Sequence, residues 1–334
     1  MQKRGKLFIL VGPPSVGKNT LMDGVCESLN DLIRMPSATT RMPRVGEKNG
    51  IDKFFITEKE FDEKISQGDF LEWQVIHGAK YGVLKSVIEN RINAGKNYIA
   101  DIEVLGAMEL KKQYKEDVNL IFVIPPSLEA IETRIKSRGT ETEEEVKLRL
   151  HRSRAELTFL PKCDQVLLND NLQEAIIQLK QILIEEKTDS LNSISEVIIE
   201  SVGFVARNDG ESFLIKFIKG EKRVFDTIVS KGEYPHEKLV EEIKKIIPSI
   251  AVIDDGELTR KYNKGLDVLQ PIWVSFNSIK GRAKIKFYYV LNSINCPKLE
   301  AEYQWLPLEK IDTCIEDESK IVIVKKIKNF ILSK

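Results

Sequence analysis

Residues 12–20 read Gly-Pro-Pro-Ser-Val-Gly-Lys-Asn-Thr and directly follow the apolar run Leu7-Phe8-Ile9-Leu10-Val11. Gly12, Gly17 and Lys18, with Pro13, Pro14, Ser15 and Val16 between the glycines, have the spacing of a loop whose backbone N–H groups curl around a polyphosphate. Lys18 stands where it would neutralise the outer phosphates. A helix predicted over 17–29 would turn its positive N-terminal end to the same anion. Asn19 departs from the pattern: it occupies the place where a Ser or Thr would ligate Mg2+, and Thr20 is the nearest hydroxyl. Strand, loop and helix in succession read as a phosphate site rather than a structural turn.

Two basic clusters extend that chemistry. In 37–47, Ser-Ala-Thr-Thr-Arg-Met-Pro-Arg-Val-Gly-Glu, Arg41 and Arg44 flank Pro43 and suit a fixed bidentate grip on a phosphate monoester. Alone, such a pair would read as a solvated loop. Arg134, Arg138 and Arg149 flank the polar stretch 139–145, Gly-Thr-Glu-Thr-Glu-Glu-Glu. Arginines around a polar segment are what a lid needs to stabilise a transferring phosphoryl group and exclude water.

The elements that must position these residues follow an alternating pattern. Candidate strands at 6–12, 98–103, 119–124 and 164–168 are separated by helical stretches, which predicts a parallel sheet covered on both faces. A helix over 171–187 would close that domain, and the polar, Ser-rich stretch 187–195 reads as a linker. Beyond it the pattern becomes strand-rich, at 197–207, 212–218, 223–230, 250–254, 271–277 and 283–291. A single helix at 235–247 interrupts these strands, and Asn208-Asp209-Gly210 is a hairpin turn signal. The segment 318–333 could be helical, although Ile321-Val322-Ile323-Val324 favours a strand. The fold class is therefore α/β with a parallel sheet, followed by a separate α+β domain. The organisation expected is a P-loop domain over 1–187, a linker over 188–195 and the second domain over 196–334.

With 334 residues the chain exceeds one compact core and predicts about two domains. Lys plus Arg and Asp plus Glu number 51 each, a balance that argues against broad non-specific nucleic-acid binding. The basic stretch 279–286, next to Phe287, Tyr288 and Tyr289, reads as a hairpin with alternating lysines. Cys26, Cys163, Cys296 and Cys314 are scattered and read as free thiols of a reducing compartment; His77, His151 and His236 form no cluster. No signal peptide and no 18-residue apolar run is present, so a soluble, cytoplasmic protein without a membrane partner is expected. The sequence sets no oligomeric state.

Over 5–187 the chain closely resembles guanylate kinase. The residues that carry this are the phosphate loop, Thr39-Thr40-Arg41-x-Pro43-Arg44-x-Gly46-Glu47, Leu71-Glu72-Trp73, Tyr81-Gly82, Asp101-Ile102-Glu103, Pro125-Pro126-Ser127, Arg138-Gly139-Thr140-Glu141-Thr142-Glu143-Glu144 and Asn169-Asp170. The resemblance implies a P-loop kinase fold with an acceptor-binding insertion and a lid, transferring the γ-phosphoryl of ATP to GMP or dGMP with Mg2+. It implies that Lys18 and the loop 12–20 hold the ATP phosphates, with Asn169 near the adenine. Arg41, Arg44 and Tyr81 would hold the acceptor phosphate, while Ser37 and Glu72 would read the guanine edge. Asp101 would lie near acceptor and metal, with Thr20 the other metal candidate, and Arg138 and Arg149 would close on the ATP phosphates. Positioning and charge neutralisation would carry the chemistry.

Several positions depart from the family's pattern. Lys53 stands where a tyrosine usually meets the acceptor phosphate, and Val83 where a Ser or Thr hydroxyl contacts guanine. Glu103 replaces an aspartate, Leu105 a glutamine, Ser15 a glycine and Pro14 a serine. Loss of a polar contact to a base relaxes or redirects selectivity. A binding or scaffolding module without catalysis is the alternative, but such modules generally lack the loop lysine, and Lys18 is present.

The second half, with Glu302-Tyr303-Gln304-Trp305-Leu306-Pro307-Leu308-Glu309 near its end, resembles a Nudix domain in element order. Nudix hydrolysis needs a helix of clustered glutamates that bind Mg2+. Here Glu237, Glu241 and Glu242 are interleaved with Lys238, Lys244 and Lys245, which points to a catalytically degenerate member with a regulatory or nucleotide-recognition role. A bifunctional kinase and nucleotide pyrophosphohydrolase is the other possibility.

Overall fold

The computed structural model describes residues 5–29, 31–76, 78–86, 88, 95–137, 141–185, 197–207, 212–218, 221–223, 225–246, 250–252, 271, 273–279, 282–293, 303–307, 309–311, 324, 325 and 327. The linker at 188–195, the Asn208-Asp209-Gly210 turn, Arg138, His77, Cys296, Cys314 and most of 318–333 lie outside the described residues, as does the side chain of Glu72. Contacts divide the chain into two compact units, Met1–Pro125 with Cys163–Ser193, and Pro126–Lys162 with Ile194–Lys334.

The first unit is built on a five-stranded, all-parallel sheet in the order β2-β7-β1-β8-β9. These strands are β1 (Leu7–Val11), β2 (Leu32–Arg34), β7 (Asn97–Asp101), β8 (Val118–Ile124) and β9 (Gln165–Leu168). All of β1 and all but Asn119 of β8 are buried, as a strand covered on both faces requires. Four of the strands match the apolar runs; β2, only three residues long, carries no comparable run.

Against this sheet pack α1 (Lys18–Cys26) and α6 (Leu172–Glu185). Leu21, Met22 and Val25 of α1 meet Ala175, Leu179, Ile182 and Leu183 of α6 over Phe8, Leu10, Ile99, Ile121 and Val123. The two helices touch closely at Gly24, where a Cβ would lie 2.4 Å from the Ile176 side chain. The helix α3 (Val104–Tyr114), whose buried Val104, Ala107 and Leu110 take no part in that cluster, packs on β1 and β8.

Between β2 and β7 the chain inserts a second, four-stranded sheet in the order β4-β3-β6-β5. It comprises β3 (Ser37–Thr39), β4 (Lys53–Phe55), β5 (Phe70–Ile76) and β6 (Ala79–Leu84), with the helix α2 (Glu58–Ser66). A capping box formed by Thr57 and Glu60 starts α2. Its Phe61 stacks on Phe70 at 4.3 Å between centroids and packs on Ala38, a small core separate from that of the main sheet. Lys80 of β6 pairs with Glu58 and Asp62 of α2 at 2.8 and 2.5 Å.

The second unit holds α4 (Leu128–Lys136), α5 (Glu143–Leu157), a short 3-10 turn at Leu160–Lys162, and an eight-stranded sheet with one flanking helix, α7 (Pro235–Lys244). A second capping box, Thr142 with Glu145, opens α5. The sheet centres on β10 (Ile198–Arg207) and β16 (Arg282–Ser293), which run parallel over ten paired residues. Around them lie β11 (Ser212–Ile218), β12 (Glu221–Arg223), β13 (Phe225–Ile228), β14 (Ile250–Val252), β15 (Trp273–Ile279) and β17 (Tyr303–Pro307). Of the expected strand 223–230, Phe225–Ile228 forms β13 while Arg223 ends β12, and the two pair with different neighbours. Lys284 and Lys286 of the basic stretch both pair with Glu200 on β10, whose single charge offsets one of the two. No helix among the described residues is long and apolar enough to cross a membrane.

Candidate active site

The loop between β1 and α1 is shaped by two glycines that no other residue replaces without strain. Gly12 has φ +133°, and a Cβ there would sit 2.4 Å from the Val123 carbonyl oxygen. Gly17 has φ +101°, and its Cβ would sit 2.4 Å from Asn169 Nδ2. Ser15 also adopts a positive φ of 61°. Such left-handed residues turn successive N–H groups into one concavity. The Asn169 amide, buried at the end of β9, donates to the Val16 carbonyl at 2.7 Å and so braces the loop. Lys18 Nζ donates to the carbonyls of Gly12 and Pro13 at 2.7 and 3.1 Å, which holds its ammonium across the loop mouth.

Asp101, at the C-terminal end of β7, lies 3.7 Å from Lys18 Nζ, and its charge also acts on Lys53 of the inserted sheet. This carboxylate therefore links the loop electrostatically with the Lys53 cation of the inserted sheet. Ligands of parallel sheets bind at these C-terminal strand ends. Lys53 and Ser37 are cross-strand partners on β4 and β3, and Lys53 Nζ donates to Ser37 Oγ at 2.9 Å. The same ammonium lies 5.8 Å from the centre of the Tyr81 ring. Desolvation pushes the Lys53 ammonium below its usual range; Asp101 opposes that shift, while Arg41 and Arg34 add to it.

Arg41 is clamped by Glu47 through two bonds of 2.7 and 2.6 Å, and its guanidinium lies 5.4 Å from the Phe55 ring centre. Glu47 also accepts from the Arg44 backbone N–H at 2.7 Å. The Arg41 hydrogen bonds hold the Glu47 carboxyl at about 2, against the opposing effect of burial. Burial alone would lower the Arg41 value, but Glu47 and Tyr81 together outweigh it and the guanidinium is held above its ordinary range. Arg44 itself is exposed. Val83 is buried at 1% exposure and is the cross-strand partner of Glu72.

Asn19 is placed by Arg34, a residue without any sequence signal. Arg34 Nη2 donates to Asn19 Oδ1 at 2.9 Å, while Nη1 pairs with Asp23 and lies 3.5 Å from Asp52. The Asn19 carbonyl is thus engaged where a hydroxyl was expected to meet a cation. Glu47 and Asp52 are likewise partners that spacing alone did not mark, because their role is to hold arginines. Thr20, on the first turn of α1, is exposed. In the second unit, Arg149 of α5 pairs with Glu141 at 3.1 Å.

A model of the guanylate kinase family matches residues 4–186. The guanylate kinase of Thermotoga maritima is 40% identical over 184 residues, 55% of this chain and 88% of that one. The chain belongs to the guanylate kinase family. It is a nucleoside monophosphate kinase. The solved guanylate kinase of Anaplasma phagocytophilum aligns at 25% identity and a TM-score of 0.47, over 58% of this chain and 92% of that one. A NUDIX-family hydrolase from Clostridium perfringens aligns at 15% identity and a TM-score of 0.30, over 41% of this chain and 97% of that one.

The residues present in this kinase fit a nucleotide polyphosphate. A Cβ at Gly12 or Gly17 would strike Val123 or Asn169, so these residues pack directly on the loop backbone, and the buried Ser15 hydroxyl has no hydrogen-bond partner among the described residues. Among the described residues no group of three His, Cys, Asp or Glu side chains could cage a metal. Mg2+ held through phosphates needs only one or two protein ligands; the two candidates that the sequence marks, Asp101 at the end of β7 and Thr20 on α1, are both among the described residues.

Proposed function

We propose that the chain transfers the γ-phosphoryl group of ATP to GMP or dGMP, through a kinase domain over 1–187 joined by 188–195 to a C-terminal domain over 196–334. The observation that carries this reading is the position of Asp101, beside Lys18 of the phosphate loop and acting on Lys53 of the acceptor cluster. Bound ATP with Mg2+ supplies the transferable phosphoryl group and screens its charge. The loop N–H groups and Lys18 bind the β- and γ-phosphates. Arg41, Arg44, Lys53 and Tyr81 take the acceptor phosphate, with Arg41 preoriented by Glu47. Ser37 and Glu72 read the base, and Arg138 and Arg149 neutralise charge that develops during transfer. Preorganised cations lower the barrier because they need no reorientation as the charge forms.

Lys18 argues against a purely binding module, since its ammonium is fixed across the loop mouth. For the C-terminal domain a regulatory or nucleotide-recognition role is favoured over hydrolysis. Lys238 lies 3.5 to 3.8 Å from Glu233, Glu241 and Glu242, and Lys245 lies 2.8 Å from Glu242, so Glu241 and Glu242 of α7 pair with neighbouring lysines. A coupled ADP-release assay with a panel of nucleoside monophosphates tests the kinase reading. Turnover is expected with GMP and dGMP and should disappear in Lys18→Ala; folded protein idle on the whole panel would refute it.

A further inference from the structure

The segment that ends α5 is gripped by the C-terminal half of the chain. Phe159, fully buried, meets the ring of Tyr234 edge-on at 5.3 Å between centroids and an interplanar angle of 88°. Lys162 Nζ sits 4.1 Å from the centre of the same ring and also donates to the Gly232 carbonyl. The Gly232 N–H donates to the Pro161 carbonyl at 2.7 Å. The cation and the aromatic edge therefore both use Tyr234, and two main-chain groups of Gly232 complete the grip. Each contact has the geometry that makes it attractive.

The gripping turn is itself rigidly built. Gly232 has φ +88°, a conformation that side chains rarely adopt. Glu233 closes the turn by accepting from the Ser230 N–H at 2.7 Å, and Lys238 of α7 lies 3.5 Å from Glu233. Pro235, at the first position of α7, starts that helix immediately after Tyr234. On the other side, α5 is continuous from Glu143 to Leu157 and carries Arg149 about two turns before its C-terminal end. Its C-terminal stretch is buried, with Arg152 bonded to Glu156 at 2.8 Å. A helix passes a restraint at one end along its axis to the residues of its last turns.

We propose that Tyr234 and Lys162 are positioning residues for phosphoryl transfer. Through them the C-terminal domain holds the end of α5 and thereby sets the orientation of Arg149. This rests on the reading above in which Arg149 meets the ATP phosphates. It assigns the added domain a mechanical part in the kinase reaction, separate from any ligand it binds. Because the grip lies at the helix end rather than at an acceptor residue, its loss affects the ATP side of the reaction and spares the acceptor side.

The test uses the full-length chain with Tyr234→Ala, Tyr234→Phe and Lys162→Met. Steady-state constants for ATP and GMP are measured beside amide hydrogen exchange of 143–162. Tyr234→Ala and Lys162→Met are expected to raise the KM for ATP about tenfold, with the KM for GMP within about twofold, and to speed exchange along α5. Tyr234→Phe keeps the ring and should behave as the parent. Faster exchange in 143–162 without any change in the KM for ATP would reduce the contact to a structural one and overturn the proposal. Equal rises in both KM values would overturn it too. Lys162→Met leaves Tyr234 and its aromatic packing in place, so the test stands even if Tyr234→Ala fails to fold. Lys18→Met and Arg149→Met in the same series separate the two levels: undiminished turnover in either refutes the underlying site assignment, whatever Tyr234→Ala does.

Discussion

His151 offers a quantitative test of how tightly α5 is packed. It lies two residues after Arg149, at 3% exposure, and its imidazole is pushed from 6.5 to about 4, first by burial and then by the charge of Arg154. The folded ring therefore resists protonation that the unfolded chain accepts. Stability from this group is complete above about pH 6.5 and is lost as the pH falls toward and through about 4. At about 1.4 kcal/mol per pH unit, the drop from 6.5 to about 4 amounts to about 3 kcal/mol in full, of which about 2 kcal/mol is already lost at pH 5. Other groups titrate in the same range, so the informative quantity is a difference between variants. Urea unfolding of the parent and of His151→Leu, at about pH 7.5 and about pH 5, isolates it. The parent should lose about 2 kcal/mol more than the variant between the two conditions. Identical losses would mean that the ring is protonated in the folded state and that the packing described for α5 is wrong.

Other sites make equally definite predictions. Lys53→Met should raise the KM for GMP roughly tenfold to a hundredfold and leave that for ATP within about twofold, because a desolvated cation at the acceptor cluster is removed; coupled assays at saturating partner substrate distinguish the two. Val83→Thr, which restores a hydroxyl opposite Glu72, should raise the kcat/KM preference for GMP over other purine monophosphates about tenfold. An unchanged ratio would remove Val83 from base selection. Gly17→Ala places a methyl 2.4 Å from Asn169 Nδ2 at φ +101°, so ATP binding measured by calorimetry should weaken strongly while the acceptor KM is retained.

The loop from Gly12 to Thr20 was legible because its chemistry is local: spacing within nine residues decides where N–H groups and an ammonium can point. The main strands were legible for a similar reason, since burial on both faces demands continuous apolar runs. The short strands of the acceptor insertion were not. β3 and β4 have three residues each and owe their existence to pairing with partners far along the chain. Likewise 223–230 reads as one strand because Val224, Phe225, Thr227, Ile228 and Val229 favour extension, yet Arg223 of β12 and the residues of β13 pair with different neighbours.

What the sequence determined alone was the kind of protein: a glycine-and-lysine loop after a buried strand, and enough family pattern to place the chain among nucleoside monophosphate kinases. Tertiary structure decided which charges hold which. Arg34 engages Asn19, Glu47 clamps Arg41, Asp101 stands between Lys18 and Lys53, and Tyr234 grips the end of α5. Each of these pairings except the clamp of Arg41 by Glu47 joins residues far apart in the chain. The reason is that an ion pair or ring contact depends on distances of a few ångströms, and only the folded backbone sets those distances.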